Sequence, residues 1–325
     1  FTISNFKNYL KLFMESSIFL KQLAFELVIE NKDKFKEHKD SVVLGMGGSH
    51  LAADLLGLRV HSDYGLPSDL ADKKDILIIA VSYSGNTEET LDGFNLALSK
   101  YLPLAVISTG GKLLELARQN NIPYIQLPNI GIQPRETIGF QLKALLKLTG
   151  KENELQEISK LSNDINLDNL ELQGRELAEK IKNYIPIIYS SAKNKPLAYF
   201  WKIVFNETAK IPAFYNVFSE LNHNEIEGFN WNEKTKHLSE KFIFIFLKDN
   251  SDNPRIIKRM ELTEKIYKNK GFNVHSVILG NKTEISQLLA SIYIALATAY
   301  SLALIYGSDP QKTDLIDELK TYISQ

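Results

Sequence analysis

Short apolar runs alternate with longer helical patterns through the first half of the chain. Each apolar run is hydrophobic on both faces, which is typical of a strand in a parallel sheet that helices cover on both sides. The predicted strands lie at 41–46, 75–82, 103–109 and 123–128, and the helical patterns that follow them lie at 50–60, 87–100, 112–121 and 136–147. The first half is therefore predicted to form a doubly wound α/β domain.

A polar stretch separates this half from a second half of the same plan. Residues 151–182 are rich in Asn, Glu and Lys and keep helical spacing without a strand, which favours a helical connector. Beyond it the predicted strands lie at 184–191, 211–218, 241–248 and 272–279, and the predicted helices lie at 196–209, at 253–270, from 283 and from 313. We expect two α/β domains in tandem, at 1–152 and 153–325, with the connector and the last helix in the second domain.

The longest apolar segment raises the question of a membrane span. No charged residue occurs between Glu284 and Asp309, and this length suffices to cross a bilayer. Against a span, the segment contains Gln287 and many Ser, Thr, Ala and Tyr residues, and no cluster of basic residues flanks it. We interpret it as a buried core helix or a subunit-interface helix, and we expect no membrane partner.

The composition of the chain excludes several kinds of partner and several kinds of chemistry. The chain has 38 basic and 39 acidic residues and no arginine-rich stretch, so nucleic acid is not expected as a partner. It contains no cysteine, which excludes disulfides, thiol nucleophiles and thiolate metal sites. Residues 1–30 do not show the order of a signal peptide. We therefore expect a cytoplasmic protein.

The first strand-to-helix turn, "GMGGSH" at 45–50, is rich in small residues. Ligands of parallel sheets bind at the carboxyl ends of the strands, where Gly48 and Ser49 would let backbone N–H groups approach an anion. The turn is not a nucleotide motif, because His50 stands where the dinucleotide pattern needs a third glycine. A tight turn followed by a helix N-cap is the alternative interpretation.

The second turn, "SYSGNTEE" at 82–89, carries three hydroxyl groups. Ser82, Ser84 and Thr87 stand at a strand end and a helix start, and Gly85 permits an unusual backbone angle between them. Such a cluster can hold a phosphate through neutral donors and backbone N–H groups. The alternative is a hydroxyl-rich helix cap in which the two following carboxylates complement the helix dipole.

Three charged residues are further candidates. Arg135 comes just before a predicted helix, which makes it either a ligand or water-positioning group or a member of a surface salt bridge. Glu207 falls on the helical stripe of Phe200 and Val204, so its carboxylate is either paired structurally or desolvated as a general base requires. His223 lies in a polar loop without the spacing of a zinc site, and a plain surface residue is the alternative.

Six short motifs occur in order over nearly the whole chain: "GMGGS", "SYSGNTEET", "STGGKL", "PRETIGF", "FNETAK" and "ELNHNEI". Together they resemble the bifunctional phosphoglucose/phosphomannose isomerase family. The second motif alone indicates only a sugar isomerase domain, whereas "ELNHNEI" after "FNE" indicates this family. The chain departs from the family pattern at His50, and "GIQPRETIGFQ" is looser than the other motifs.

The resemblance implies two flavodoxin-like, doubly wound parallel-sheet sugar isomerase (SIS) domains in a homodimer, with a sugar phosphate as the substrate. The residues that would bind its phosphate are Gly48, Ser49, Ser82, Ser84 and Thr87. Thr313 matches the threonine that the family associates with room for both C2 epimers.

The resemblance also implies roles in the chemistry. Glu207 would be the base, and Arg135 would position the substrate or the water that stabilises the enediol. His223 would open the sugar ring, reaching across from the partner subunit. Lys320 on the last helix would assist ring opening, and Lys312 is the alternative lysine.

The implied reaction interconverts glucose 6-phosphate and fructose 6-phosphate, and also mannose 6-phosphate and fructose 6-phosphate, through a cis-enediol. It needs no metal and no cofactor. Two alternatives stay open at this point. One is a non-catalytic SIS regulator that binds a sugar phosphate, and the other is an isomerase of another ketose phosphate or amino-sugar phosphate.

Overall fold

The computed structural model describes residues 17–70, 75–280 and 283–323, which form two compact units. The first unit comprises residues 17–165, and the second comprises the described residues from 166 onward. The domain limits expected from the sequence, 1–152 and 153–325, remain a prediction, because the ends of a compact unit need not coincide with those of a sequence domain.

Both units consist of parallel strands joined by helices. In the first unit these elements are α1 (Ser17–Ala24), β1 (Asp40–Leu44), α2 (Leu51–Leu55), β2 (Arg59–His61), β3 (Ile76–Val81), α3 (Glu88–Ser99), β4 (Leu104–Ser108), α4 (Gly111–Gln119), β5 (Tyr124–Gln126), α5 (Ile138–Leu148) and α6 (Glu152–Asp164). In the second unit they are α7 (Leu167–Ile181), β6 (Ile185–Ser191), α8 (Lys195–Val204), β7 (Phe214–Phe218), α9 (Glu225–Gly228), α10 (Lys236–Ser239), β8 (Phe242–Lys248), α11 (Pro254–Asn269), β9 (Asn273–Ile278), α12 (Glu284–Tyr306) and α13 (Asp314–Ile323).

The sheet of the first unit has the strand order β2-β1-β3-β4-β5, and every pair in it is parallel. Strands β3 and β4 are buried along nearly their whole lengths, as expected for strands covered on both faces. This is the flavodoxin-like arrangement, and it confirms the predicted fold class. The strand order reverses between β1 and β3, which is where such sheets bind ligands at their carboxyl edge.

Strand β2 is missing from the sequence prediction, because the helical pattern over 50–60 ends early. Helix α2 has only five residues, and Gly57 after it takes the left-handed conformation with a φ of 66°. The N–H of Leu58 donates to the carbonyl oxygen of Ala53 at 2.9 Å, which closes the helix end. The chain then turns back and adds β2 to the edge of the sheet.

The sheet of the second unit has the order β7-β6-β8-β9, again with parallel pairs throughout. Its strand order reverses between β6 and β8, as that of the first sheet does between β1 and β3. One face is covered by an aromatic cluster whose largest buried members are Tyr189, Phe218, Phe244, Phe246 and Tyr267. The second half of the chain thus repeats the architecture of the first, as predicted.

Helix α12 belongs to the core of the second unit. Most of its residues are buried, and the indole N–H of Trp201 donates to Ser291 Oγ on it at 3.0 Å. By length and composition the helix could cross a membrane, but 78% of its most apolar window is buried inside the protein, as in the core helices of many soluble proteins. These contacts agree with the interpretation of the apolar segment as a core helix.

Gly174 lets α7 lie close against α12. A Cβ added to Gly174 would stand 2.6 Å from the Cβ of Ala297 and 3.0 Å from the backbone nitrogen of Thr298. Neither atom belongs to a flexible side chain, so the helices themselves would have to shift.

We expect Gly174→Ala to destabilise the second unit by about 1–3 kcal/mol, because the overpacked contact outweighs the helix-propensity gain of about 1 kcal/mol. Gly228→Ala is the matched control, since nothing lies within 4 Å of a Cβ added there. Urea unfolding followed by tryptophan fluorescence reports on this unit, because both tryptophans of the chain, Trp201 and Trp231, lie in it. An unchanged unfolding midpoint for Gly174→Ala would contradict the tight packing.

Candidate active site

Two glycine-containing loops touch at the carboxyl edge of the first sheet. Gly85 follows β3 with a φ of 74°. A Cβ added to Gly85 would lie 1.8 Å from the carbonyl oxygen of Gly110, and one added to Gly111 would lie 2.3 Å from that of Ser84. The N–H of Leu113 also donates to the Gly85 carbonyl oxygen at 2.9 Å. Only glycine fits at these two positions, so the loops after β3 and β4 form one continuous edge.

The loop after β1 joins the same edge. Ser49 is buried, and its Oγ accepts a hydrogen bond from the N–H of Tyr83 at 3.2 Å. Gly48 lies against the turn before α5, since a Cβ added to it would stand 3.1 Å from the backbone nitrogen of Arg135. The structure therefore brings three predicted residues, Gly48, Ser49 and Arg135, beside the loop after β3.

The three hydroxyl residues of the loop after β3 have different surroundings. Ser82 is fully buried, and its Oγ bonds Thr87 Oγ1 at 2.8 Å and accepts from the Gly85 N–H at 3.1 Å. Ser84 is exposed, and its Oγ accepts from the Asn86 N–H at 3.3 Å. Thr87 precedes α3 at its cap position, yet within the described residues its side chain makes no capping bond to that helix. Ser82 and Thr87 thus hold the loop in shape, while Ser84 faces solvent.

The start of α3 has the features of an anion site. The Thr87 hydroxyl is turned toward Ser82, so it does not occupy the amide groups of the first helical turn. The 12-residue helix directs the positive end of its dipole to this point. The hydrogen bonds therefore do not support the alternative of a simple hydroxyl cap, and phosphate binding stays the prediction for this loop.

Arg135 is buried in the turn that precedes α5. Its exposed fraction is 1%, so the alternative of a surface salt bridge is wrong. Reciprocal capping between Gln133 and Glu136 fixes the turn, and Gln22 Nε2 donates to the Glu136 carbonyl oxygen at 2.8 Å. A buried guanidinium on a fixed turn is a positive charge whose position is set before any ligand arrives.

Glu207 lies in a π-helix and not in the α-helix predicted for it. Helix α8 ends at Val204, and Phe205–Ala209 continue as one wider turn. The predicted apolar stripe holds for Phe200 and Val204, which are fully buried, whereas Glu207 is half-buried. A π-turn changes the direction of the side chains on it, and such turns occur frequently at functional sites.

Lys210 connects the Glu207 segment to the loop before α13. It follows the π-helix with a φ of 60°, and its Nζ donates to the carbonyl oxygens of Glu207 and Lys312. Because Thr313 comes next in the chain, Glu207 and Thr313 lie in one region of the second unit. The sequence pattern does not indicate that Lys210 links these two segments, because the link depends on a hydrogen bond between residues 102 positions apart.

His223 and Lys320 are both exposed but lie on different elements. His223 ends the short turn Glu220–His223, and Lys320 lies on α13 with its Nζ 3.9 Å from Asp317 Oδ1. Thr313 Oγ1 donates to the other carboxylate oxygen of Asp317 at 3.1 Å. In the described part of the second unit, Asp317 therefore links Thr313 to Lys320, and no such contact links either of them to His223.

An ion network fills the carboxyl edge of the second sheet. Lys193 follows β6, and its Nζ lies 3.2 Å from Asp249 Oδ2, 2.9 Å from Ser251 Oγ and 2.9 Å from Glu284 Oε1. Burial acts to raise the pKa of Asp249, but hydrogen bonds from Ser251, Asn194 and Lys193 outweigh it and hold this pKa at about 2. Carboxylates thus stand where the first sheet has hydroxyls, and their charge opposes the binding of a phosphate dianion.

Comparison with known proteins gives matches over most of the chain. Residues 171–323 match the family described as the bacterial phospho-glucose isomerase C-terminal SIS domain. A bifunctional phosphoglucose/phosphomannose isomerase of Aquifex aeolicus is 33% identical over 297 residues, which cover 87% of this chain and 90% of the relative. An enzyme of the same name from Thermoplasma volcanium is 33% identical over 322 residues, which cover 96% of this chain and 100% of the relative.

A solved structure shares the fold. Tagatose-6-phosphate ketose/aldose isomerase from Escherichia coli matches with a TM-score of 0.61 and 15% sequence identity, and the match covers 90% of this chain and 87% of that one. At this identity the likeness concerns the fold alone. With the SIS-domain match it confirms the prediction of tandem SIS domains.

We expect Gly85→Ala to weaken the binding of fructose 6-phosphate at least about tenfold, because the added Cβ would push the two glycine-containing loops apart. Gly131→Ala is the matched control. Gly131 has the same φ of 74°, but nothing lies within 4 Å of a Cβ added there. Isothermal titration calorimetry of both variants separates the loop contact from backbone strain. Equal affinities for fructose 6-phosphate in the two variants would show that binding does not depend on the contact between Gly85 and Gly110.

Proposed function

The chain belongs to the bifunctional phosphoglucose/phosphomannose isomerase family, and we propose that it interconverts glucose 6-phosphate and fructose 6-phosphate, and also mannose 6-phosphate and fructose 6-phosphate. The observation that carries the proposal is the match, over nearly the full length, to relatives named for both activities. The chain is an aldose–ketose isomerase, so the alternative of a non-catalytic regulator is set aside. In this proposal it acts in the cytoplasm.

The loop after β3 binds the phosphate of the sugar in this proposal. Ser84, Thr87 and the backbone N–H groups at the start of α3 supply donors, together with Gly48 and Ser49 on the neighbouring loop. The support is that these groups share one edge of the sheet and that the hydroxyl of Ser84 is exposed. Ser82 is also predicted from the sequence to bind the phosphate. Because it is fully buried and both its hydrogen bonds are made within the loop, in this proposal it supports the loop and does not touch the phosphate.

Glu207 acts as the base. Isomerisation moves one proton between C2 and C1 of the open-chain sugar through a cis-enediol, and one carboxylate serves both carbons because they are adjacent. Its half-buried position in the π-helix and the contact of Lys210 with the residue before Thr313 support this role. Arg135 supplies a buried positive charge that positions the substrate or the water that stabilises the enediol. Thr313 gives room for both C2 epimers.

Ring opening needs an acid and a base other than Glu207. We assign this step to His223 and Lys320, with Lys312 as the alternative lysine. Both His223 and Lys320 are exposed in one chain, which supports their action in a homodimer where His223 reaches the substrate of the partner subunit.

We expect the wild-type chain to convert fructose 6-phosphate into both aldoses, and Glu207→Gln to lose about 10²- to 10⁴-fold in kcat because it lacks the base. The variant keeps the shape of the side chain, so its affinity for fructose 6-phosphate should change by less than about threefold. Proton NMR distinguishes glucose 6-phosphate from mannose 6-phosphate in one sample. Glu233→Gln, at an exposed glutamate of the same unit, is the control.

Substantial turnover by Glu207→Gln would refute its assignment as the base. Failure of the wild-type chain to form one of the two aldoses would refute that activity alone. Formation of neither aldose would refute both proposed activities and would favour another ketose phosphate or an amino-sugar phosphate as the substrate.

We expect His223→Ala to slow ring opening and to leave proton transfer intact. Interconversion of the α and β anomers of glucose 6-phosphate needs ring opening but no proton transfer at C2, and exchange NMR measures it directly. Catalysed anomer interconversion should therefore be lost in His223→Ala and persist in Glu207→Gln. If His223→Ala interconverts the anomers as fast as the wild-type chain, the histidine does not open the ring.

A further inference from the structure

The turn that carries His223 is anchored on both sides of that residue. Before it, Leu221 is fully buried, and Asn222 Nδ2 donates to Thr263 Oγ1 on α11 at 2.9 Å. After it, Glu225 begins α9, and its carboxylate reaches back to the second sheet. His223 itself is exposed between these two anchors.

Residues of two neighbouring strands hold the Glu225 carboxylate. Tyr189 on β6 donates its hydroxyl to Oε1, and Asn216 on β7 donates its side-chain N–H to Oε2. Asn216 cannot present its oxygen instead, because that oxygen accepts the Val217 N–H at 2.8 Å. Both carboxylate oxygens therefore meet donors whose orientation the sheet determines.

Tyr189 remains a donor over the ordinary pH range. It is fully buried, and burial raises the pKa of its hydroxyl well above the usual value, with further increases from the neighbouring Tyr267 and Glu225. The Tyr267 hydroxyl lies 3.4 Å from that of Tyr189, and burial raises the Tyr267 pKa to about 12. The phenolic groups beside Glu225 thus stay protonated, and Tyr189 can keep its hydrogen bond to the carboxylate.

We propose that Glu225 is a positioning residue that holds His223 in place through its hydrogen bonds to Tyr189 and Asn216. The inference rests on the ring-opening role proposed above for His223. Glu225 does not touch the reacting atoms in this account. It restricts the backbone two residues after the histidine, and a displacement of about 1 Å in a catalytic group is enough to cost on the order of 10²-fold in rate.

Glu225→Gln is the main variant. The amide nitrogen of the glutamine replaces one of the two accepting oxygens, so the hydrogen bond from Tyr189 or from Asn216 is lost at that position. We expect it to slow anomer interconversion of glucose 6-phosphate by about 10- to 100-fold, while its affinity for fructose 6-phosphate stays within about threefold of the wild-type value. Glu227→Gln is the matched control. It removes the same charge two residues later, where the exposed side chain accepts from Asn230 Nδ2 at 2.9 Å, and it should leave the rate unchanged.

The His223→Ala background distinguishes positioning from general damage. His223→Ala is expected to keep proton transfer, so it still isomerises the sugar that opens spontaneously. If Glu225 acts through His223, Glu225→Gln should cause no further loss of this isomerisation in that background. A full additional loss in the double variant, or a wild-type rate in Glu225→Gln alone, would overturn the inference. A wild-type rate in His223→Ala would instead overturn the ring-opening proposal, and this inference with it.

Tyr189→Phe is a second variant that tests the same inference if Glu225→Gln does not fold. This variant retains the buried ring and removes one donor, so we expect a smaller loss of about three- to tenfold in anomer interconversion. Tryptophan fluorescence checks the fold of the same unit, because Trp201 and Trp231 both lie in it. A wild-type rate in a folded Tyr189→Phe chain would count against the inference.

Discussion

The close approach of Gly85 to Gly110 is the contact on which the candidate phosphate site depends. A Cβ at residue 85 would lie 1.8 Å from the Gly110 carbonyl oxygen, so no other residue lets the loops after β3 and β4 meet in this way. The contact sets the path of the chain from Ser82 to Thr87, whose hydroxyls bond each other and leave the start of α3 without a cap from Thr87. Backbone geometry and the helix dipole thereby prepare this edge for an anion.

The two sheets share a strand order but differ in chemistry at their carboxyl ends. Hydroxyl groups and glycines line the first edge, whereas Lys193 at the second edge bonds Asp249 and Glu284. The second unit contributes other groups, Glu207 on its π-helix and His223 on an anchored turn. A repeated fold therefore does not imply a repeated site.

How much of the fold and of the candidate site the sequence can predict depends on how far apart in the chain the interacting residues lie. Buried strands, the helices between them and the glycine turns follow from local patterns, so the fold class and the loops of the first edge are predictable. Strand β2 is not, because three partly exposed residues carry no pattern and pair only where the sheet offers an edge. The sequence pattern does not predict the contacts of Lys210 or of Glu225, because these contacts join segments that are distant in the chain. It does not predict the π-helix either, because the helical pattern over 196–209 does not distinguish a π-turn from an α-helix.

The central claim is that neutral groups at the start of α3 hold the phosphate of the substrate. A crystal structure of the wild-type chain with fructose 6-phosphate tests this most directly. We expect the phosphate oxygens to lie within hydrogen-bonding distance of the Ser84 hydroxyl and of backbone N–H groups in the first turn of α3. A phosphate bound instead by lysine side chains away from this loop would contradict the claim.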